Sequence, residues 1–238
     1  MPHALPSAGR LVGLLYLIVV VTGFFCLAYV PGQLAGSDAQ AVLDNVVAKQ
    51  ALFRQGIAAF IVEQVAYLLL ALALYRGFRD VSGTAATLMV AFVAMGVPLA
   101  LAALSHRVQA LLLLTDAGSA QLLSLEQRQQ LAHAAMKAYH GGMQLVRVFW
   151  GLWLLPLGWL VLRSRRLPRV LGALLVLGGL GYVLGVFAEL LLPGYADGWI
   201  AGYVTLPAAL GEIGTCLWLL LFGLRTGYAG STTLPSAS

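Results

Sequence analysis

The stretch HGGMQLVRVFWGLWLLPLGWLVLRSRRLPR, residues 140–169, decides the fold class. It begins with polar residues, carries Arg147 part-way along an apolar run, and ends in a block of four arginines. A helix of about 20 apolar residues is long enough to cross the roughly 30 Å hydrocarbon core of a bilayer. The stretch therefore predicts a transmembrane helix with a charge inside the membrane.

The whole chain shares this apolar character. Of its 238 residues, 61% are hydrophobic and 10% are charged, and the mean hydropathy is +0.89. A soluble domain is about 45–50% apolar and about 25% charged, so we expect membrane lipids to cover much of this surface. The net charge of +5 does not indicate nucleic-acid binding, because most of the arginines end apolar segments. No polar run is long enough to form a separate soluble domain.

Six segments are long enough to span a membrane. They lack the alternation of barrel strands, and backbone groups in hydrocarbon must be paired internally, so these segments are predicted to be helices. The predicted fold is an all-α bundle of six helices, with a transmembrane domain at residues 11–225 between a short N-terminus (1–10) and a flexible tail (226–238). The six segments are Leu11–Val30, Leu52–Tyr75, Gly83–Leu104, Gly141–Leu162, Leu171–Leu192 and Ile200–Leu224.

Basic residues distinguish the two sides of this bundle. Loops facing the cytoplasm carry an excess of lysine and arginine, so the richly basic side is predicted to be inside, with both termini. The protein is then a multi-pass protein of the inner (cytoplasmic) membrane. The residues before Leu11 are too few and too weakly charged for a typical signal peptide, so the first segment is expected to remain as a span. The eight basic residues on this side are Arg10, Arg76, Arg79, Arg163, Arg165, Arg166, Arg169 and Arg225.

The first two outer loops, Pro31–Ala51 and Thr115–Tyr139, are long enough to contain short extracytoplasmic helices. Ser124 and Gln127 have the spacing of a capping box at the start of the second. Polar residues then recur at intervals of three or four, which predicts one helix face running from this loop into the fourth span. They are His133, Lys137, His140, Gln144 and Arg147.

Three spans carry one charge each at similar positions: Glu63, Arg147 and Glu212. LWLLPLG at residues 152–158 resembles LWLLLFG at residues 217–223, and aligning the two places Arg147 opposite Glu212. We interpret this pattern as a threefold repetition of helical hairpins.

Nine polar side chains are the predicted ligand-binding residues. A charge at the centre of a bilayer costs about 2.5–3.5 kcal/mol on insertion scales, so such groups should face the bundle interior and pair. We predict that Arg147 lies between Glu63 and Glu212, and that a proton, a cation or Arg107 balances the remaining negative charge. Four of the nine lie toward the outer ends of spans and are predicted to form the mouth of the cavity: His106, Arg107, His140 and Glu189. The full set is Glu63, Gln64, His106, Arg107, His140, Gln144, Arg147, Glu189 and Glu212.

These residues leave three functions open. The leading hypothesis is that the protein binds or transports a small molecule, or a proton, through an outward-facing polar cavity. An intramembrane hydrolase or lipid-modifying transferase would instead use His106 or His140 with a glutamate or a metal, although no HExxH spacing is present. A non-catalytic accessory protein would use the same charges only for helix packing. No motif assigns a catalytic residue, a cofactor or an oligomeric state, and Cys26 and Cys216 are interpreted as packing residues.

Four stretches carry a resemblance to a known family: RLVGLLYLI from Arg10, LFRQGI from Leu52, LWLLLFGLR from Leu217 and, most specific, the run at Gly151–Tyr182. That run reads GLWLLPLGWLVLRSRRLPRVLGALLVLGGLGY. Over nearly the whole chain, about Arg10 to Arg225, the sequence resembles the bacterial integral membrane proteins grouped as domain of unknown function 4386. The resemblance implies a six-helix protein of the cytoplasmic membrane. It implies no activity, cofactor or catalytic residue.

Overall fold

The computed structural model describes residues 6–224, with side chains from Gly9 onward. Within that range it contains six helices long and apolar enough to cross a membrane and no strand, which confirms the predicted all-α, six-span fold. The tail at 226–238 and Arg225 lie outside the described residues, as do residues 1–5 of the predicted N-terminal segment. The spans are α1 (Pro6–Phe24, continued by a π-helical turn at Phe25–Tyr29 and by Val30–Leu34), α2 (Gln50–Phe78), α3 (Gly83–Thr115), α4 (Leu125–Ser164), α5 (Arg169–Leu191) and α6 (Trp199–Tyr203 and Leu206–Phe222).

Short helices occupy the connections on the side away from the arginine-rich loops. Ala39–Ala48 lies between α1 and α2, and Ala117–Leu122 lies between α3 and α4, which confirms the helices predicted in these two loops. Each has an aspartate cap, Asp38 and Asp116, whose carboxylate accepts a hydrogen bond from a free backbone N–H of the first turn. A 3₁₀ turn at Tyr195–Asp197 leads from α5 toward α6.

The helix α4 is the longest element, with 40 residues. Ser124 and Gln127 form the predicted capping box, in which the side-chain oxygen of each residue accepts a hydrogen bond from the backbone N–H of the other. The helix continues without a break into the fourth span, as the spacing of its polar residues predicted. It ends at Ser164, and the next residue, Arg165, adopts a left-handed conformation with φ of 55°. At 1.5 Å per residue it is about 60 Å long, so it extends well beyond a hydrocarbon core of roughly 30 Å.

The six spans pack in a ring in chain order, and the ring closes because α6 packs against α1. Its largest cluster of buried apolar residues includes Trp153 of α4, Leu70 of α2 and Tyr16 of α1. Large apolar side chains cover the outside, for example Leu184 and Leu177 of α5. Cys26 and Cys216 are both free and buried, which confirms their interpretation as packing residues.

Glycines bring α4 and α5 into direct backbone contact. A Cβ atom at Gly151 would lie 2.6 Å from the carbonyl oxygen of Gly179, and one at Gly158 would lie 2.7 Å from that of Gly172. The two pairs recur at the same seven-residue interval along antiparallel helices, so the contact extends over two turns. Small residues at such positions allow membrane helices to approach closely.

The contact between α1 and α6 is close at one end and open at the other. A Cβ atom at Gly13 would lie 2.6 Å from the backbone nitrogen of Leu220, so the two backbones touch there. Further along the two helices, Phe24 and Leu27 of α1 and Ile213 of α6 are exposed. Residues of both helices line the cavity described next, among them Gly23 of α1 and Ala209 of α6, so the two helices separate there and leave a wedge-shaped gap.

Candidate functional site

A cavity of about 480 Å³ lies at the mid-depth of the bundle, where residues of α1, α2, α4, α5 and α6 surround it. This volume is within the range of small-molecule sites in proteins. Glu63 of α2 and Glu212 of α6 both line it, and no lysine, arginine or histidine of the described chain does. The rest of the wall is apolar or aromatic, and its six aromatic residues are Tyr16, Phe24, Tyr67, Trp150, Trp153 and Tyr182.

Glu63 is 5% exposed and lies close to α1. Gly23 of α1 leaves space for the Glu63 side chain, because even an added Cβ atom at Gly23 would remain 3.8 Å from Cγ of Glu63. The side-chain amide of Gln64 donates a hydrogen bond to the Glu63 carboxylate. The amide oxygen of Gln64 is buried and has no hydrogen-bond partner in the described part of the chain. The Glu63 carboxylate thus has a neutral donor but no cationic partner among residues 6–224.

Glu212 lies across the cavity, close enough to Glu63 for the two carboxyl groups to interact electrostatically. The hydroxyl of Tyr16 donates to Oε1 of Glu212 at 3.5 Å, the long limit of a hydrogen bond. Tyr67 packs edge to face on Trp153, with ring centroids 5.0 Å apart. Its hydroxyl is buried and without a partner in the described structure. Two carboxyl groups therefore face a wall of aromatic rings.

Arg147 is not between Glu63 and Glu212 as predicted, and it does not line the cavity. It pairs with Glu189 of α5, with Nη1 3.0 Å from Oε1, and Gln144 donates to the same carboxylate at 3.1 Å. The cause is the packing of α4 on α5. Arg147 is four residues before Gly151, so it lies on the same helix face, toward α5 rather than toward the ring interior.

Arg107 is also placed differently from the prediction, which made it a mouth residue. It is 2% exposed, and its guanidinium carbon lies 4.6 Å from the ring centroid of Phe53 and 5.1 Å from that of Tyr139. Cation–π contact with two rings stabilises a buried arginine. Its Nε and Nη1 atoms have no hydrogen-bond partner, and no carboxylate lies within 4 Å, among the described residues.

His106 and His140 do not line the cavity, although they were predicted to form its mouth. His140 is exposed and its ring contacts that of Tyr139, whereas His106 is half-buried on α3. Within residues 6–224, no three histidine, cysteine, aspartate or glutamate side chains are grouped closely enough to hold a metal ion.

Seven of the nine predicted residues thus separate into three groups: Glu63 and Glu212 with Gln64, then Gln144, Arg147 and Glu189, and Arg107 by itself. His106 and His140 belong to none of them. The aromatic wall of the cavity was not among the predicted site residues. A signal was present in the spacing, because Tyr67 is four residues after Glu63 and therefore on the same face of α2.

Comparison with known proteins assigns the chain to a family. The family model described as Domain of unknown function (DUF4386) matches residues 11–223, which include nearly all of the six spans and both cavity glutamates. No curated protein and no solved structure matches the chain. With this match over most of its length and six apolar spans in its structure, the chain is an integral membrane protein that belongs to the DUF4386 family.

Proposed function

We propose that this protein binds a small ligand in the cavity at the centre of its bundle and carries it across the membrane. One observation supports the proposal above all: buried Glu63 and partly buried Glu212 have no cationic partner within 4 Å among the described residues, and both face an open space of about 480 Å³. Carriers commonly bind their substrates near the bilayer midplane, between helices that can move relative to one another. Glu63 and Glu212 are both near the middle of their spans.

The cavity argues against a purely structural role for these glutamates. Charges that serve packing alone are expected to meet a partner, as Arg147 and Glu189 do on α4 and α5. Glu63 and Glu212 instead meet neutral groups and empty space. Burying an ionisable group in that way costs free energy, and a bound ligand would offset the cost.

The exposed part of the cavity wall supports entry from the side. Every exposed lining residue belongs to α1 or α6, the two helices that diverge. These residues are apolar: Phe24, Leu27, Ala28, Ala209 and Ile213. A ligand dissolved in the bilayer would pass between them, so we propose a lateral entrance in place of the outward-facing mouth predicted from the sequence.

The arginine-rich loops support the proposed orientation. Seven of the eight basic residues used for it lie within residues 6–224, at the ends of spans on one side. We propose that this side faces the cytoplasm of a cell with the protein in its inner membrane, and that both termini are inside. Cysteine labelling from outside intact cells tests this: a cysteine at exposed Gln121 would react, and one at exposed Arg79 would not.

Thermal unfolding in zwitterionic lipid nanodiscs tests ligand binding with three probes of similar size. They are phenyltrimethylammonium, its neutral isostere tert-butylbenzene, and benzenesulfonate. At least one is expected to raise the unfolding midpoint of the protein. Ala209→Trp fills the cavity and should abolish the effect, whereas Ala94→Trp, on an exposed face of α3 outside the cavity, should retain it. Failure of all three probes would overturn the proposal.

A further inference from the structure

We infer that the ligand is a lipid-soluble organic cation, an amine or a quaternary ammonium compound of drug-like size or smaller. This inference rests on the proposed function and names the chemical class that the same cavity would accept. The charge, aromatic surface, volume and entrance of the cavity each contribute to it.

The charge of the wall selects a positive ligand. Glu63 and Glu212 are the ionisable acids that line the cavity, and the described chain contributes no basic side chain to it. When ionised, these carboxylates repel each other and lack the counter-charge that a buried anion needs. A ligand cation between them would supply that charge to both, whereas an anionic ligand would add a further negative charge.

The aromatic wall favours an organic cation over a bare one. Trp153 lines the cavity, and the rings of Tyr67 and Tyr16 pack on it with centroid distances of 5.0 and 6.4 Å. The faces of tryptophan and tyrosine attract alkylammonium groups, and aromatic cages of this kind bind quaternary ammonium compounds. Trp150 and Tyr182 extend the same surface, with ring centroids 6.3 Å apart.

The polar groups are too few for a metal ion or a hydrated sodium ion. Hard cations take about six oxygen ligands. Two carboxyl groups and three tyrosine hydroxyls are distributed around a space of about 480 Å³ that is otherwise apolar. One part of the ligand must therefore be a hydrophobic body that occupies this space.

The entrance restricts the ligand further. Phe24, Leu27 and Ile213 at the edge of the cavity are exposed in the part of the bundle that faces lipid. A strongly hydrated ion would have to lose its water at this apolar edge. A cation with an alkyl or aryl body already partitions into the bilayer and can pass between α1 and α6.

The test compares phenyltrimethylammonium with tert-butylbenzene, which has the same shape and no charge. Dissociation constants are measured in phosphatidylcholine nanodiscs by quenching of tryptophan fluorescence, with empty nanodiscs as the partition control. The cation is expected to bind at least tenfold more tightly than its isostere. In the double variant Glu63→Gln/Glu212→Gln this preference should fall to about twofold or less, while Glu126→Gln, an exposed carboxyl at the start of α4, should keep it.

The outcomes separate the two proposals. If the neutral isostere or benzenesulfonate binds in the cavity at least as tightly as the cation, the inference is overturned and the proposed function stands. If no probe binds, both fail. The comparison of isosteres uses the unaltered protein, so the inference can be contradicted even if the glutamine variants do not fold.

Discussion

This membrane protein places charge inside the bundle without a counter-charge among the described residues in two regions. One is the acidic cavity, with Glu63 and Glu212, and the other is the Arg107 cluster, which consists of Arg107, Phe53 and Tyr139. Both place the charge beside aromatic rings. Arg107 is held between Phe53 and Tyr139 and is almost completely enclosed. Glu63 and Glu212 face about 480 Å³ of space. An unpaired charge thus indicates a ligand site only where there is room for a ligand.

Small residues explain why the two regions differ. Gly142 of α4 lets α3 approach closely, since a Cβ atom there would lie 2.8 Å from Cβ of Ala103. Ala103 is one turn before Arg107, so the arginine is enclosed next to a point where α3 and α4 pack closely. The cavity instead opens between α1 and α6, beyond the point at which Gly13 brings them together. Helix approach therefore determines which buried charge has space beside it.

The largest expected effect is the loss of Arg107. Arg107→Ala should lower the free energy of unfolding by about 3 kcal/mol, because it leaves a void between two rings and removes both cation–π contacts. Arg107→Met keeps most of the volume and should lose less. Denaturant titration in detergent measures the stabilities. Binding of phenyltrimethylammonium should change less than twofold in Arg107→Met; a tenfold loss there would place Arg107 in the ligand site and remove the contrast between the two regions.

Alanine substitution of two glycines on α1 tests the role of helix approach. At Gly13 the new Cβ atom meets the backbone of α6 at 2.6 Å, so the helices must separate, at a cost of about 2 kcal/mol. At Gly23 the nearest atom is Cγ of Glu63 at 3.8 Å, an ordinary contact. Gly23→Ala should leave stability unchanged or raise it by up to about 1 kcal/mol, because alanine favours helix. Thermal unfolding of both variants measures the difference, and equal losses would contradict the wedge between α1 and α6.

The sequence predicted the spans well because their length and hydropathy are local properties. The capping box at Ser124 and the continuous face of α4 are local as well. The prediction that Arg147 lies between Glu63 and Glu212 was wrong, because depth in the membrane does not determine which neighbouring helix a helix face contacts. The spacing of Gly151 and Gly158, matched by Gly172 and Gly179, contained that information. The cavity itself depends on contact between the first and last spans, which no local pattern shows.

The Arg147–Glu189 pair provides an intermediate case, since its side chains are 34% and 19% exposed. Arg147→Gln leaves the Glu189 carboxylate with Gln144 as its remaining donor. We expect a loss of about 1 kcal/mol, because partial exposure lets solvent replace much of the lost interaction. The double variant Arg147→Gln/Glu189→Gln should regain part of that loss. A double-mutant cycle on unfolding free energies measures the coupling, and zero coupling would show that the pair does not stabilise the fold.

The smallest expected effect is at the arginine-rich side, where the charges are paired and one of them is well exposed. Arg166 donates hydrogen bonds to the carboxylate of Asp80 and to the carbonyl of Gly77. The hydrogen bonds from Arg166 to the carboxylate hold the pKa of Asp80 below its ordinary value of 3.8. A lowered pKa in the folded state means that the pair stabilises the protein above about pH 4. That contribution is lost as the pH falls through the folded pKa.

Asp80 is 61% exposed, so solvent screening limits the contribution to about 0.5 kcal/mol or less. Asp80→Asn should therefore lower stability slightly at pH 6 and leave it nearly unchanged at pH 2.5. Thermal unfolding of both proteins at the two pH values measures this difference, and high salt at pH 6 should reduce it further. A loss of stability larger than that of Arg147→Gln would mean that the ion pair between the loops on this side stabilises the fold more than the partly buried pair between α4 and α5. The order of effects argued from exposure would then be reversed.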